Sequence, residues 1–140
     1  MKRIFAIVIL INLFIASGCG LGKVDESEGR NLTERLLKDR KNQEYGNLAQ
    51  YYVSSFMAHE SPEKMIAKYQ KLNQTAGPIQ DFELISHEQQ YDEASGYHQL
   101  TLIYKVTCSN VLLRETYIVV NDEGRTGILF QNMENWELKD

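Results

Sequence analysis

The chain has 140 residues, with 15 Lys and Arg against 19 Asp and Glu, and two cysteines. That length is enough for one domain with one hydrophobic core. The acidic balance argues against nucleic-acid binding and against electrostatic adhesion to an anionic membrane surface.

The first residues differ from the rest. Lys2 and Arg3 are followed by an apolar run over residues 4–15, broken only by Asn12, and then by the small residues Ala16, Ser17 and Gly18. A basic start, an apolar middle and a small-residue end are the three parts of a secretory signal peptide. The uncharged stretch is shorter than the ~18–20 apolar residues of a spanning helix, so it reads as cleaved. Loss of residues 1–18 removes two of the 15 basic residues and no acid, leaving 13 against 19 and a formal charge of −6.

Ala16-Ser17-Gly18-Cys19 resembles the bacterial lipoprotein lipobox. The usual box has Leu three residues before the cysteine, and Ala16 holds that place here. The resemblance implies a diacylglyceryl thioether on Cys19, cleavage before it, and further acylation of the new N-terminus. Two or more acyl chains, at ~0.8 kcal/mol per buried CH₂, anchor stably where one does not. Gly20 after the cysteine, in place of Asp, resembles the outer-membrane-sorted class of Gram-negative lipoproteins. With Cys19 lipidated, Cys108 has no partner in the chain and reads as a small buried apolar residue.

Residues 19–30 are polar and glycine-rich and read as a lipidated N-terminus with a flexible tether. The domain is then expected over 31–140. Asn31 and Glu34 form a capping-box pattern ahead of a short helix carrying Leu32, Leu36 and Leu37. Leu48, Ala49, Tyr52, Val53, Phe56 and Met57 have the spacing of one helix face, predicting a helix over 44–59. Ser61-Pro62 opens another helix and Gly77-Pro78 closes it.

From Ile79 the apolar period changes to two. Strands are predicted over 79–91, 97–108, 111–121 and 125–132, joined by turns at 92–96, Ser109-Asn110 and Asp122-Glu123-Gly124. Leu100, Leu102, Tyr104, Val106 and Cys108 share one face of the second strand. The expected fold class is therefore α+β: two helices packed on a four-stranded antiparallel meander sheet.

A helical hairpin with Ser61-Pro62, then Leu100-x-Leu102-x-Tyr104-x-Val106 and the run Glu-Thr-Tyr-Ile-Val-Val-Asn-Asp-Glu-Gly over 115–124, resembles the small NTF2-like or cystatin-like lipoprotein domains of bacteria. The resemblance covers about residues 43–132. Larger NTF2-like enzymes place a buried acid or histidine in the mouth of the cone, and the sequence offers no residue assignable to that role.

No nucleophile elbow, zinc-protease helix or phosphate-binding loop occurs. His87 and His98 fall on adjacent predicted strands with Glu88 nearby, but they lack ligand spacing and read as solvated. Arg114 and Glu115 are consecutive on a strand and so point to opposite faces. Tyr52, Phe56, Tyr69, Tyr104 and Tyr117 lie on elements that face one another, as core or as the lining of a small aromatic cavity. No catalytic residue, metal or cofactor is expected. The reading is a non-enzymatic envelope lipoprotein held to the membrane by Cys19 and binding a protein partner. The alternatives are a binder of a small apolar ligand in that cavity, or an NTF2-like enzyme.

Overall fold

A computed structural model describes residues 22–136. Cys19 and the signal-peptide pattern lie outside the described residues. The first helix, α1, spans Glu26–Lys41. Asp25 is its N-cap, its carboxylate accepting the Glu28 N–H at 2.9 Å. Glu26 and Glu28 sit in the first turn and Lys38, Arg40 and Lys41 in the last, each sign at the end of the helix dipole that favours it.

This corrects the tether boundary. Residues 26–30 are helix, and Val24 before them is only 2% exposed. The buried stripe runs Gly29, Leu32, Thr33, Leu36, Leu37, Arg40. Gly29, Thr33 and Arg40 are not hydrophobic, so the helical period of the stripe is hard to see in the residue types. Asn31 lies inside the helix and is not its cap.

The helix expected over 44–59 is also corrected. The chain forms a 3-10 turn at Leu48–Tyr51 and a single short helix, α2, at Ser54–Met57. Between them Tyr52 and Val53 are extended and bridge in parallel to the last strand: the Val53 N–H donates to the Ile128 carbonyl at 3.0 Å. Tyr51, Tyr52 and Val53 are buried one after another, which a single helix face does not allow. Gly127 permits the approach. A Cβ there would stand 2.8 Å from Val53 Cγ1 and 3.2 Å from its backbone nitrogen.

Helix α3 spans Pro62–Ala76, with Ser61 as N-cap and Gly77 at φ 81° as its stop. It buries Met65, Tyr69 and Ala76. Four strands follow: β1 Ile79–Asp92, β2 Tyr97–Cys108, β3 Leu112–Asp122 and β4 Arg125–Asn135. They form one antiparallel sheet in the order β1-β2-β3-β4. The molecule is thus α+β with a four-stranded meander. Glu123 and Gly124, at φ 51° and 77°, turn β3 into β4 in the double left-handed conformation of a tight hairpin.

The inner sheet face is apolar, with Leu100, Leu102, Tyr104 and Val106 fully buried on β2. Helix α1 meets this face where Thr33 Oγ1 and the Tyr104 hydroxyl share a hydrogen bond of 2.7 Å. The outer face is open. Register sets Ile118 beside Phe130 and Lys105 beside Arg114 there. A bulge between Leu84 and Ser86 leaves Ile85 45% exposed, and Phe130 is 48% exposed. Tyr52 and Val53 cover part of the β4 edge, whereas the outer edge of β1 pairs with no backbone among the described residues.

Gly29 belongs to this packing, since a Cβ there would sit 2.6 Å from Leu100 Cδ2. Gly29→Val is expected to destabilise the domain by about 1–3 kcal/mol through overpacking. A lower urea midpoint would show it; an unchanged midpoint would return this segment to the tether.

Candidate functional site

The most concentrated polar chemistry lies in the core. Strand β3 alternates, and its inward positions are Leu113, Glu115, Tyr117 and Val119, all buried. Glu115 is 0% exposed. Opposite it, Arg40 lies on the buried stripe of α1, one turn beyond Leu36 and Leu37, and is 4% exposed. Its Nη1 donates to Glu115 Oε2 at 2.7 Å and its Nη2 to Oε1 at 2.9 Å. This is the two-pronged geometry in which an arginine–carboxylate pair is strongest.

Tyrosines complete the cluster. Arg40 Nη1 also donates to the Tyr117 hydroxyl at 3.0 Å, and that hydroxyl donates to Glu115 Oε2. Gln131 Nε2 donates to the Tyr117 hydroxyl at 3.1 Å, while Gln131 Oε1 accepts from Tyr69 at 2.6 Å and from Tyr52. The Arg40 guanidinium carbon lies 4.6 Å from the centre of the Tyr69 ring. One connected network therefore ties α1, Tyr52, α3, β3 and β4 together.

Burial works against the Arg40 charge, but Glu115 and the surrounding tyrosines hold it well above its ordinary pKa. Burial pushes the Tyr52, Tyr69 and Tyr117 hydroxyls up. It also raises Tyr104 to about 12 and pushes the Cys108 thiol up. A thiol and hydroxyls shifted this way are poor nucleophiles and poor proton carriers near neutrality. Both Glu115 oxygens already accept hydrogen bonds. The cluster is arranged to hold the layers together.

Tyr52, Tyr69, Tyr104 and Tyr117 are the tyrosines expected from the sequence as core or cavity lining. All four are buried core residues with hydrogen-bonded hydroxyls. Phe56 is half-buried and stacks on Tyr52 with ring centres 4.6 Å apart. The space beside the cluster, lined by Arg40, Tyr45, Tyr69 and Cys108 among others, holds about 10 Å³. Ligand pockets hold roughly 300 Å³ or more. The larger depressions are open grooves, such as one of about 780 Å³ between Phe82 and the charged residues of α1.

The residue types alone do not single out Arg40, and they set Glu115 only against its neighbour Arg114. Arg114 does point the other way and pairs with Glu134 at 3.7 Å. The signal for Glu115 was its phase, two residues from Leu113 and from Tyr117 on one face. It is a buried acid, where none was assigned from sequence.

His87 and His98 lie on neighbouring strands but in separate pairs, opposite Leu102 and Tyr91. The register offset of four residues puts them roughly 13 Å apart along the sheet. His87 Nδ1 instead faces Glu26 Oε1 at 3.2 Å. Among the described residues, no group of three or more His, Cys, Asp or Glu could hold a metal ion. Compared with known protein families, with curated proteins and with solved structures, the chain matches none.

Glu115→Gln leaves the Arg40 charge buried without its counter-ion and is expected to cost about 3–5 kcal/mol. Arg40→Met combined with Glu115→Leu removes both charges and is expected to cost much less. Denaturant titration of the three proteins checks this; equal losses would deny the pair its role. Tyr104, raised from 10.0 to about 12, ties folding to a retained proton. Its contribution is complete below pH 10 and is lost as pH rises through about 12. Tyrosinate absorbance is therefore expected to lag behind free tyrosine and to rise together with loss of circular dichroism.

Proposed function

We propose that this chain is a lipid-anchored protein of the bacterial cell envelope, acting as a non-enzymatic accessory module that binds a protein partner. The observation that carries the anchor is the N-terminal run ending in Ala16-Ser17-Gly18-Cys19. Cys19 carries the lipid in this reading. In a Gram-negative host the protein then sits on the periplasmic face of the outer membrane. No helix among the described residues is long and apolar enough to cross a membrane.

A binding role is supported by the open sheet face. Ile85 and Phe130 stand 45% and 48% exposed on it, with half-buried Ile103 and Ile118 between them in the register. Apolar residues gathered on an uncovered face mark contact surfaces more often than scattered ones do. The small NTF2-like or cystatin-like assignment belongs to the same proposal, and the helix-and-meander order supports it. For the small-ligand reading, the space beside the aromatic cluster holds about 10 Å³.

In cells expressing the full chain, the wild type is expected in the membrane fraction with incorporated acyl label, and Cys19→Ser in the soluble fraction. Cross-linking in membranes is expected to join the wild type to one defined partner, and Phe130→Asp to lose it while keeping stability within about 0.5 kcal/mol. Fractionation indifferent to Cys19, together with an unlabelled wild type, would refute the anchor. An unchanged cross-link in the folded Phe130→Asp protein would refute the surface.

A further inference from the structure

The described chain begins already fastened to the fold. Asn121 Nδ2 donates to the Lys23 carbonyl at 2.6 Å, and the Gln89 side-chain amide donates to the Val24 carbonyl. Val24 itself is 2% exposed. Gly22, at φ 130°, passes so close to His98 that a Cβ would lie 3.0 Å from its ring. These contacts hold residues 22–25 at one pole of the sheet. There β1 and β3 end at Asp92 and Asp122, and β2 and β4 begin at Tyr97 and Arg125. The opposite pole carries Gly77 and the turn Ser109-Asn110, where the Asn110 N–H donates to the Ala76 carbonyl at 3.0 Å.

Only Gly20 and Leu21 separate Cys19 from Gly22. Three residue steps reach at most about 10 Å. We infer that a lipid on Cys19 holds the Asp92/Tyr97/Asp122/Arg125 pole of the domain against the headgroups, with the Ser109-Asn110 pole pointing away from the membrane. The inference rests on the anchor proposed above and adds to it an orientation. A lipidated cysteine on a long loose tether would set none.

The chemistry of the near pole fits a lipid surface. Tyr91 is 56% exposed, more than either Ile85 or Phe130. It leans on His98 with ring centres 5.0 Å apart, beside the entry of residues 22–25. A half-exposed tyrosine is suited to the headgroup layer, with its ring toward the chains and its hydroxyl toward water. Asp92, Glu93, Asp122 and Glu123 outnumber Lys23 and Arg125 at this pole. Like charges repel, so the surface it rests on is zwitterionic rather than anionic. The 12 residues of β2 separate the poles. At ~3.3 Å per residue that is about 35–40 Å, far enough for a probe to tell them apart.

The test uses the full, lipidated chain in phosphatidylcholine vesicles containing a nitroxide-headgroup lipid. One fluorophore is placed at Glu93→Cys or at Asn110→Cys, each in a Cys108→Ala background. Quenching several-fold stronger at position 93 is expected. Equal or reversed quenching on vesicle-bound protein overturns the orientation and leaves the anchor standing. Protein that carries no acyl group and stays off the vesicles overturns both. A Gly/Ser insert of about 20 residues after Gly20, with an r.m.s. reach of ~25 Å, is expected to abolish the difference. Its survival would overturn tether length as the cause.

Discussion

The pairing of Arg40 with Glu115 is the constraint around which the interior is built. Both groups are almost wholly withdrawn from water, so neither tolerates the loss of the other. The pair joins the last turn of α1 to the middle of the sheet. Through Tyr117, Gln131, Tyr69 and Tyr52 it reaches α3 and β4. Apolar packing alone specifies that these layers meet. The two-pronged bond and its tyrosine shell add a direction and a register, since the Arg40 donors find Glu115 and Tyr117 at one place on β3. A slip of α1 by a single residue would swing Arg40 away from the β3 row.

The same cluster shows why a recess between helices and sheet need not be a binding site. Four of the tyrosines that converge there have their hydroxyls hydrogen-bonded within the core: Tyr52 to Tyr69 and Gln131, Tyr104 to Thr33, and Tyr117 to Glu115. The arginine fills what would otherwise be the recess. On the other side of the sheet Phe130 and Ile85 stand exposed beside the charged rows of Lys105 and Arg114.

The strands were readable because a period of two needs only a few residues to declare itself, and β2 declares it from Leu100 to Cys108. Helix α3 was readable because Ser61-Pro62 and Gly77-Pro78 punctuate it on both sides. The start of α1 was not, for a physical reason. Its buried stripe uses Gly29, Thr33 and Arg40, residues whose burial follows from close approach, a shared hydroxyl bond and an ion pair. The segment at 48–57 misled in the other direction. Its apolar spacing suits a helix, but backbone pairing of Tyr52 and Val53 with Ile128 is a long-range gain that local spacing does not record. Glu115 was visible as a phase on its strand, but its partner lies 75 residues earlier, and only the fold brings the two together.

The open edge of β1 has a consequence of another kind. Tyr52 and Val53 shield part of the β4 edge, so among the described residues β1, 14 residues long, is the long edge left without a backbone partner. Such an edge invites a second copy of the chain to add its own edge and start an aggregate. Here the strand carries Asp81, Glu83, Glu88 and Asp92 and no lysine or arginine. Two such edges brought together would set carboxylates against carboxylates. Register shifts at Ile79/Asp81 and Leu84/Ser86 further spoil the straight ladder that continuous pairing requires. The acidity that first argued against nucleic acid thus also acts locally, by opposing edge-to-edge pairing of two copies along β1.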